Sequence, residues 1–265
     1  MNEQSGVMEQ VLLRRDADGV ATLTMNRPAA RNALSMALMQ ALVDKLAAIA
    51  ADPTVKAVVI GGAGPAFCAG HDLRELRGNP GREAYQATFL LCSRLMTAIV
   101  RLPKPVVARV HGVATAAGCQ LVASCDLAVA AETARFATPG VNIGLFCSTP
   151  MVALSRAVGR KAAMEMLLTG ELIDAARAHA LGLVNRVVPD ADLDTAVAAL
   201  AGQIAAKSPL TLAIGKEAFY RQAEMGLDDA YAYAAEVMTR NMLARDAAEG
   251  IDAFLEKRPP AWQDA

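Results

Sequence analysis

Residues 19–26, GVATLTMN, alternate between apolar and polar positions as a half-buried strand does, and RPAARNALS breaks the pattern immediately afterwards. Residues 36–51 then carry apolar side chains at helical spacing and predict a long helix. In VKAVVIGG, residues 55–62, β-branched and small apolar side chains follow one another without alternation, the mark of a strand covered on both faces. A second long helix is predicted over 82–101 and ends at LPKP, because Pro103 and Pro105 cannot continue it. VVARV reads as a strand, ATAAGCQLVASC as a short helix and DLAVA as a strand again. This rhythm predicts βαβ units and a partly parallel sheet.

From about residue 150 strand patterns fade, apart from GLVNRVVP at 182–189. Stretches such as DADLDTAVAALAGQIAAKS and LDDAYAYAAEVMTRNMLARD place apolar residues at helical spacing opposite polar faces. The chain therefore divides into an α/β core over residues 1–200 and a helical region over 201–265, with no repeat and no low-complexity linker.

Composition narrows the partner. With 265 residues the chain can bury most of its apolar surface, and its 54% apolar share rests on Ala, Val and Leu, since aromatics make up only 4%. Net charge is −1 and no Lys/Arg block stands out, so neither nucleic acid nor an anionic membrane has an electrostatic footprint here. No apolar run reaches the roughly eighteen residues of a membrane span, and MNEQSGVMEQ lacks the apolar centre of a secretion signal. The five cysteines are odd in number, sit among apolar residues and form no C-x-x-C pair, which predicts reduced thiols and a cytoplasmic protein. What remains is a small-molecule partner.

The stretch AFCAGHD, residues 66–72, sets small and apolar residues against a histidine and an aspartate just after a glycine-rich bend. Either the His71 ring does chemistry, or the stretch brings bare backbone close to a ligand. GGAGPAF is no dinucleotide fingerprint, because Phe67 stands where the third glycine is needed, and it lacks the G-K-[ST] of a phosphate loop. His71, His111 and His179 lie far apart without metal-ligand spacing, and His111, next to Gly112, reads as packed structure. G-x-S-x-G is absent. In LFCSTP, Cys147 or Ser148 offers a nucleophile, while the plainer reading makes Ser148 or Thr149 the N-cap of a helix opened by Pro150.

TLTMNRPAARNALS, AFCAGHDLREL, KPVVARVHGVATAAGCQLVASCDLAVA, RFATPGVNIGL, LLTGELIDAARAHALGLVNRVV and GIDAFLEKRPPAW occur in this order over nearly the whole chain. Together they resemble the crotonase, or enoyl-CoA hydratase/isomerase, superfamily, and within it the enoyl-CoA hydratase domain-containing protein 3 type. The resemblance implies an α/β fold, a crotonase-like spiral of β-β-α units with a helical C-terminal trimerisation region, assembled as a homotrimer or hexamer. It also implies an acyl-CoA substrate whose thioester oxygen, as it becomes enolate-like, rests on the backbone N–H groups of His71 and Ala117. Fixed donors of that kind are worth about 3 to 4 kcal/mol each, and small neighbours, Ala69, Gly70, Ala116 and Gly118, would let the thioester approach. By motif position Arg27, Arg31, Ala69, Gly70, Asp72, Leu73, Phe254 and Lys257 would contact coenzyme A, which enters as part of the substrate; no metal and no permanently bound cofactor is implied. Asp72 has a plainer role as well, capping the segment after AGH.

The sequence departs from the hydratase pattern at two places. A hydratase of this family activates water with two glutamates; this chain has Gln120 and Gly140 at those positions, and Ser148 where some relatives carry another carboxylate. An amide cannot accept a proton at neutral pH. Enoyl hydration is therefore doubtful, and three alternatives stand: another lyase or isomerase reaction on an acyl-CoA, decarboxylation or thioester hydrolysis, and acyl-CoA binding without catalysis.

Overall fold

The computed structural model describes residues 10–264; the N-terminal stretch used above to argue against a secretion signal lies almost wholly outside them. The chain opens with a hairpin, β1 (Leu12–Ala17) and β2 (Val20–Met25), turned by Asp18 and Gly19, both at positive φ. Asp-Gly is the pair such a tight turn favours. A short 3-10 turn leads to α1 (Met36–Ala51), whose first turn is capped by the Ser35 hydroxyl accepting from Leu38 N–H at 3.2 Å. Then follow β3 (Ala57–Gly62), β4 (Ala66–Cys68), α2 (Leu73–Gly78) and α3 (Arg82–Arg101). Next come β5 (Val106–Val110), β6 (Val113–Thr115), α4 (Ala117–Ser124), β7 (Leu127–Ala131), β8 (Arg135–Ala137), α5 (Pro150–Ala157) and α6 (Arg160–Thr169). The chain closes with β9 (Ile173–Asp174), α7 (Ala175–Ala180), β10 (Arg186–Val188), α8 (Leu193–Ala205), α9 (Pro209–Gln222), α10 (Leu227–Met242) and α11 (Arg245–Glu256).

The order of the strands makes this a spiral. In each pair β3/β4, β5/β6 and β7/β8 the first strand joins a six-stranded sheet, β1-β2-β3-β5-β7-β10, and the second joins a four-stranded one, β4-β6-β8-β9. Helices return the chain to the next turn. All pairings are parallel except β1 with β2 and β8 with β9. The fold is thus the α/β crotonase-like spiral that the resemblance implies. One face of the large sheet, with Leu23, Ile60 and Val106, packs into the main core together with Phe67 of β4 and the buried sides of α1 and α3. Val59, Val107 and Val129 on the other face are covered by Leu193, Val197 and Leu200 of α8. α8 runs across residue 200, the boundary drawn from the pattern.

Four short strands escape the sequence reading: β4, β6, β8 and β9, two or three residues each, make up the whole second sheet. Residues 113–115, placed partly in a helix by the pattern, are strand, and the helix starts only at Ala117. A strand of three residues has no period to recognise; parallel neighbours far along the chain define it. The predicted side-chain cap of α5 also fails. Thr149 holds the N-cap position without a side-chain bond, and the Ser148 hydroxyl turns back to Phe146 O.

α9 to α11 bury no large apolar side chain. Leu227, Tyr231, Leu243 and Phe254 each leave more than 70% of their surface exposed. Among the described residues no single helix is long and apolar enough to cross a membrane.

Candidate active site

β4 and β6 lie side by side, Cys68 opposite Ala114, and the chain leaves them as Ala69-Gly70-His71 and Ala116-Ala117. Gly70, at φ 94°, gives its carbonyl to Leu34 N–H at 2.7 Å, and Asp72 N–H donates to Leu34 O at 3.1 Å. This clamp holds both flanks of His71 to one side, so its own N–H points to the other, where no acceptor among the described residues takes it. Ala117 supplies the first N–H of α4, a group without an intrahelical partner. Ala116 aims it: φ 50° and ψ −118° put this alanine in a region that glycine favours.

The two segments touch. A Cβ on Gly70 would stand 3.4 Å from Ala117 N, 3.1 Å from Thr115 O and 2.9 Å from the Ala116 methyl, and one on Gly118 would overlap the Cys68 carbonyl outright. Glycine at 70 and 118 is what permits two backbones to meet here. Asn32, fully buried, braces the loop from behind. Its carboxamide oxygen accepts from Arg27 N–H at 2.9 Å, and its nitrogen donates to Ala63 O and Ala66 O, each at 2.8 Å.

α3 forms the back wall. Phe89 meets the His71 ring edge-to-face at 5.3 Å between centroids, and Cys92, three residues on along the same helix face, donates its thiol to Gln120 Oε1 at 3.7 Å. His71 Nε2 is buried and without a partner among the described residues, and burial lowers the ring's pKa to about 4, so the imidazole is neutral at pH 7. Burial raises the Cys92 thiol to about 12, which keeps it protonated and a donor. Gln120 lies three residues after Ala117 in α4, hence on the same face.

Gly140 differs from a simple loss of a side chain. Its N–H bonds the Cys147 sulfur, and a Cβ there would come within 2.6 Å of Leu145 O and 2.9 Å of Cys147 Sγ. The 140–147 loop folds back over the position, with Leu145 N–H on Gly140 O at 2.9 Å. Ser148 is exposed, and the buried Thr138 hydroxyl has no partner among the described residues.

The remaining candidates spread outward. Arg27 is committed to Asp72, 2.8 Å away, and to Ala33 O; Asp72 also caps α2 by accepting from Arg74 and Glu75 N–H. Burial would raise the Asp72 pKa, but Arg27 and these N–H groups outweigh it and hold the carboxyl below its ordinary range. Arg31 is exposed in a left-handed conformation, Ala69 donates to Arg31 O, and Leu73 is half exposed. Phe254 and Lys257 lie at the far end of α11, both exposed. A cleft of about 120 Å³ between α1, α2 and α3 is lined by Met36, Leu76, Asn79, Ala87 and Thr88, among others. Sequence reading missed Asn32 and Cys92, because the contacts each makes are with residues distant in the chain.

The family model described as enoyl-CoA hydratase/isomerase matches residues 15–265. Enoyl-CoA hydratase domain-containing protein 3, mitochondrial, from Rattus norvegicus is 47% identical over 248 residues, covering 94% of this chain and 83% of that protein. Its counterpart from Xenopus laevis is 48% identical over 244 residues, covering 92% and 83%. The crystal structure of an enoyl-CoA hydratase from Mycobacterium smegmatis superposes with a TM-score of 0.94 at 57% identity, covering 96% of this chain and 99% of that one. That of human enoyl-CoA hydratase domain-containing protein 3 gives 0.93 at 46% identity, covering 96% and 100%. The expectation of a cytoplasmic protein is corrected by these relatives, whose names carry the mitochondrial designation. Its ground was too coarse: buried free cysteines argue against an oxidising compartment and do not distinguish one reducing compartment from another.

Proposed function

The chain belongs to the enoyl-CoA hydratase/isomerase family, and from that premise we propose that it processes acyl-CoA thioesters by holding the thioester oxygen, as it becomes enolate-like, on the N–H groups of His71 and Ala117. One observation carries this reading. Both N–H groups are uncommitted, and the backbones that bear them meet across Gly70, where any side chain would strike Ala116. Charge developing on the oxygen is stabilised by donors already in place, and the partial positive end of α4 adds to them.

The reaction is enolate chemistry other than robust hydration. Neither family glutamate is present: Gln120 cannot take a proton, and the 140–147 loop occupies the space that a side chain at Gly140 would need. His71 acts through its main chain, with a neutral ring packed on Phe89. Coenzyme A enters with the substrate along Ala69–Leu73. Arg31, Phe254 and Lys257 are the exposed groups available to its nucleotide end, since Arg27 is paired with Asp72. The assembly we infer is a homotrimer or hexamer, in which the bare apolar sides of α10 and α11 find cover.

Acetoacetyl-CoA tests the reading, because its enolate absorbs in the ultraviolet and needs the same two donors. Titration at neutral pH is expected to give a saturable enolate signal in the native protein and none in Gly70→Ala. No saturation in the native protein overturns the proposal.

A further inference from the structure

Gln120 is more than a missing glutamate, because its orientation is fixed. The Cys92 thiol, buried in α3, donates to Gln120 Oε1. A protonated thiol supplies the hydrogen that a carbonyl oxygen accepts, so the contact turns the amide oxygen toward α3. The amide nitrogen finds no acceptor among the described residues, and it is not among their enclosed unpartnered atoms, which are His71 Nε2, His111 Nδ1 and Thr138 Oγ1. It keeps access to open space.

The helix determines where that N–H acts. Side chains on a helix lean toward its N-terminus, so Gln120, one turn after Ala117, leans back toward the Ala117 N–H. Three residues of helix amount to about 4.5 Å of rise. An acyl group whose carbonyl oxygen rests at Ala117 therefore extends past the Gln120 amide with the carbons that follow its carbonyl. What meets those carbons is a donor with no carboxylate beside it.

Resting on the reading above, we propose that Cys92 is a positioning residue which, through Gln120, makes the pocket select CoA thioesters carrying an acceptor oxygen on the β-carbon of the acyl group. Ketone, hydroxyl and carboxylate oxygens share that chemistry; alkyl and enoyl chains lack it. A site built to donate a hydrogen bond discriminates against a ligand that cannot accept one, because the donor is then left unpaired.

The test is isothermal titration of the intact protein with butyryl-CoA, 3-oxobutyryl-CoA, 3-hydroxybutyryl-CoA and malonyl-CoA. At least one oxygenated thioester should bind about tenfold more tightly than butyryl-CoA, and the tightest identifies the oxygen's source. Cys92→Ala frees the amide to rotate and should bring that ratio close to one. Gln120→Leu should abolish the preference as well. Cys92→Ser, which keeps a donor, should retain part of it. Equal binding of all four ligands by the native protein overturns this inference and leaves the oxyanion reading standing, as does a ratio that survives in Cys92→Ala or in Gln120→Leu. Failure of every ligand to bind overturns both.

Discussion

Lys216 Nζ stands 2.7 Å from Asp126 Oδ2 across ninety residues of chain, and this pair fastens α9 to the segment between α4 and β7. Every polar atom of the pair is used. Lys216 also donates to Ile99 O and Lys104 O, and Asp126 accepts from Val106 N–H and from the Tyr220 hydroxyl. Burial lowers the lysine's pKa against the opposing pull of Asp126. Asp126→Ala would leave a buried ammonium without its counter-charge, at a cost of about 3 kcal/mol. Chemical denaturation should show that loss, and Asp126→Asn a smaller one, since the amide oxygen still accepts from Val106 N–H and Lys216 while the amide nitrogen turns to donate to the Tyr220 hydroxyl oxygen.

Gly70→Ala should damage the site more than the fold. Its methyl would push on Ala116 and Thr115 at the entrance to α4, and positive φ adds strain of about 1 to 2 kcal/mol. A displaced donor should lower acyl-CoA turnover by about a hundredfold, measured as kcat/KM on any thioester the native protein converts.

Ala116→Gly is expected to do the reverse. At φ 50° and ψ −118° an alanine stores strain that glycine does not. The variant should keep acyl-CoA affinity and gain up to about 1 kcal/mol in a urea melt; a loss of more than that would mean the Ala116 methyl packs more usefully than its backbone suggests.

His71 predicts an acid sensitivity. Its folded-state pKa, about 4, lies below the ordinary 6.5, so between these values the unfolded chain binds a proton that the folded one refuses. The histidine's share of stability is complete above pH 6.5 and falls away as pH drops toward 4, by up to about 3 kcal/mol at roughly 1.4 kcal/mol per unit. Unfolding free energies from pH 7 to pH 4 should show that decline, and His71→Asn should flatten it.

Restoring the two carboxylates should not restore hydration. At Gly140 a side chain meets the Leu145 carbonyl and the Cys147 sulfur at once. Gln120→Glu combined with Gly140→Glu is expected to lose stability and to hydrate crotonyl-CoA no faster than Gln120→Glu alone, in a spectrophotometric assay of the conjugated double bond.

The long elements were legible because their periods are long. α1, α3 and the strands of the large sheet announce themselves in apolar spacing, and the resemblance carried by the motifs around residues 66–72 and 114–120 directed attention to the His71 and Ala117 backbones. The second sheet was not legible, since strands as short as β4 and β8 exist only through partners far along the chain. The same reason hid the pairing of Arg27 with Asp72, of Cys92 with Gln120, and the part Asn32 plays in bracing the loop. Each is a contact between residues that no local pattern relates.

His71 and Ala117 each come three residues after a paired position, Cys68 and Ala114, on neighbouring parallel strands. The two amides thus end turns of equal length that spring from adjacent strands, which lie about 4.8 Å apart in a β-ladder. An insertion or deletion between strand end and amide would put the two turns out of step, so their equal length constrains this chain alongside the glycine at residue 70.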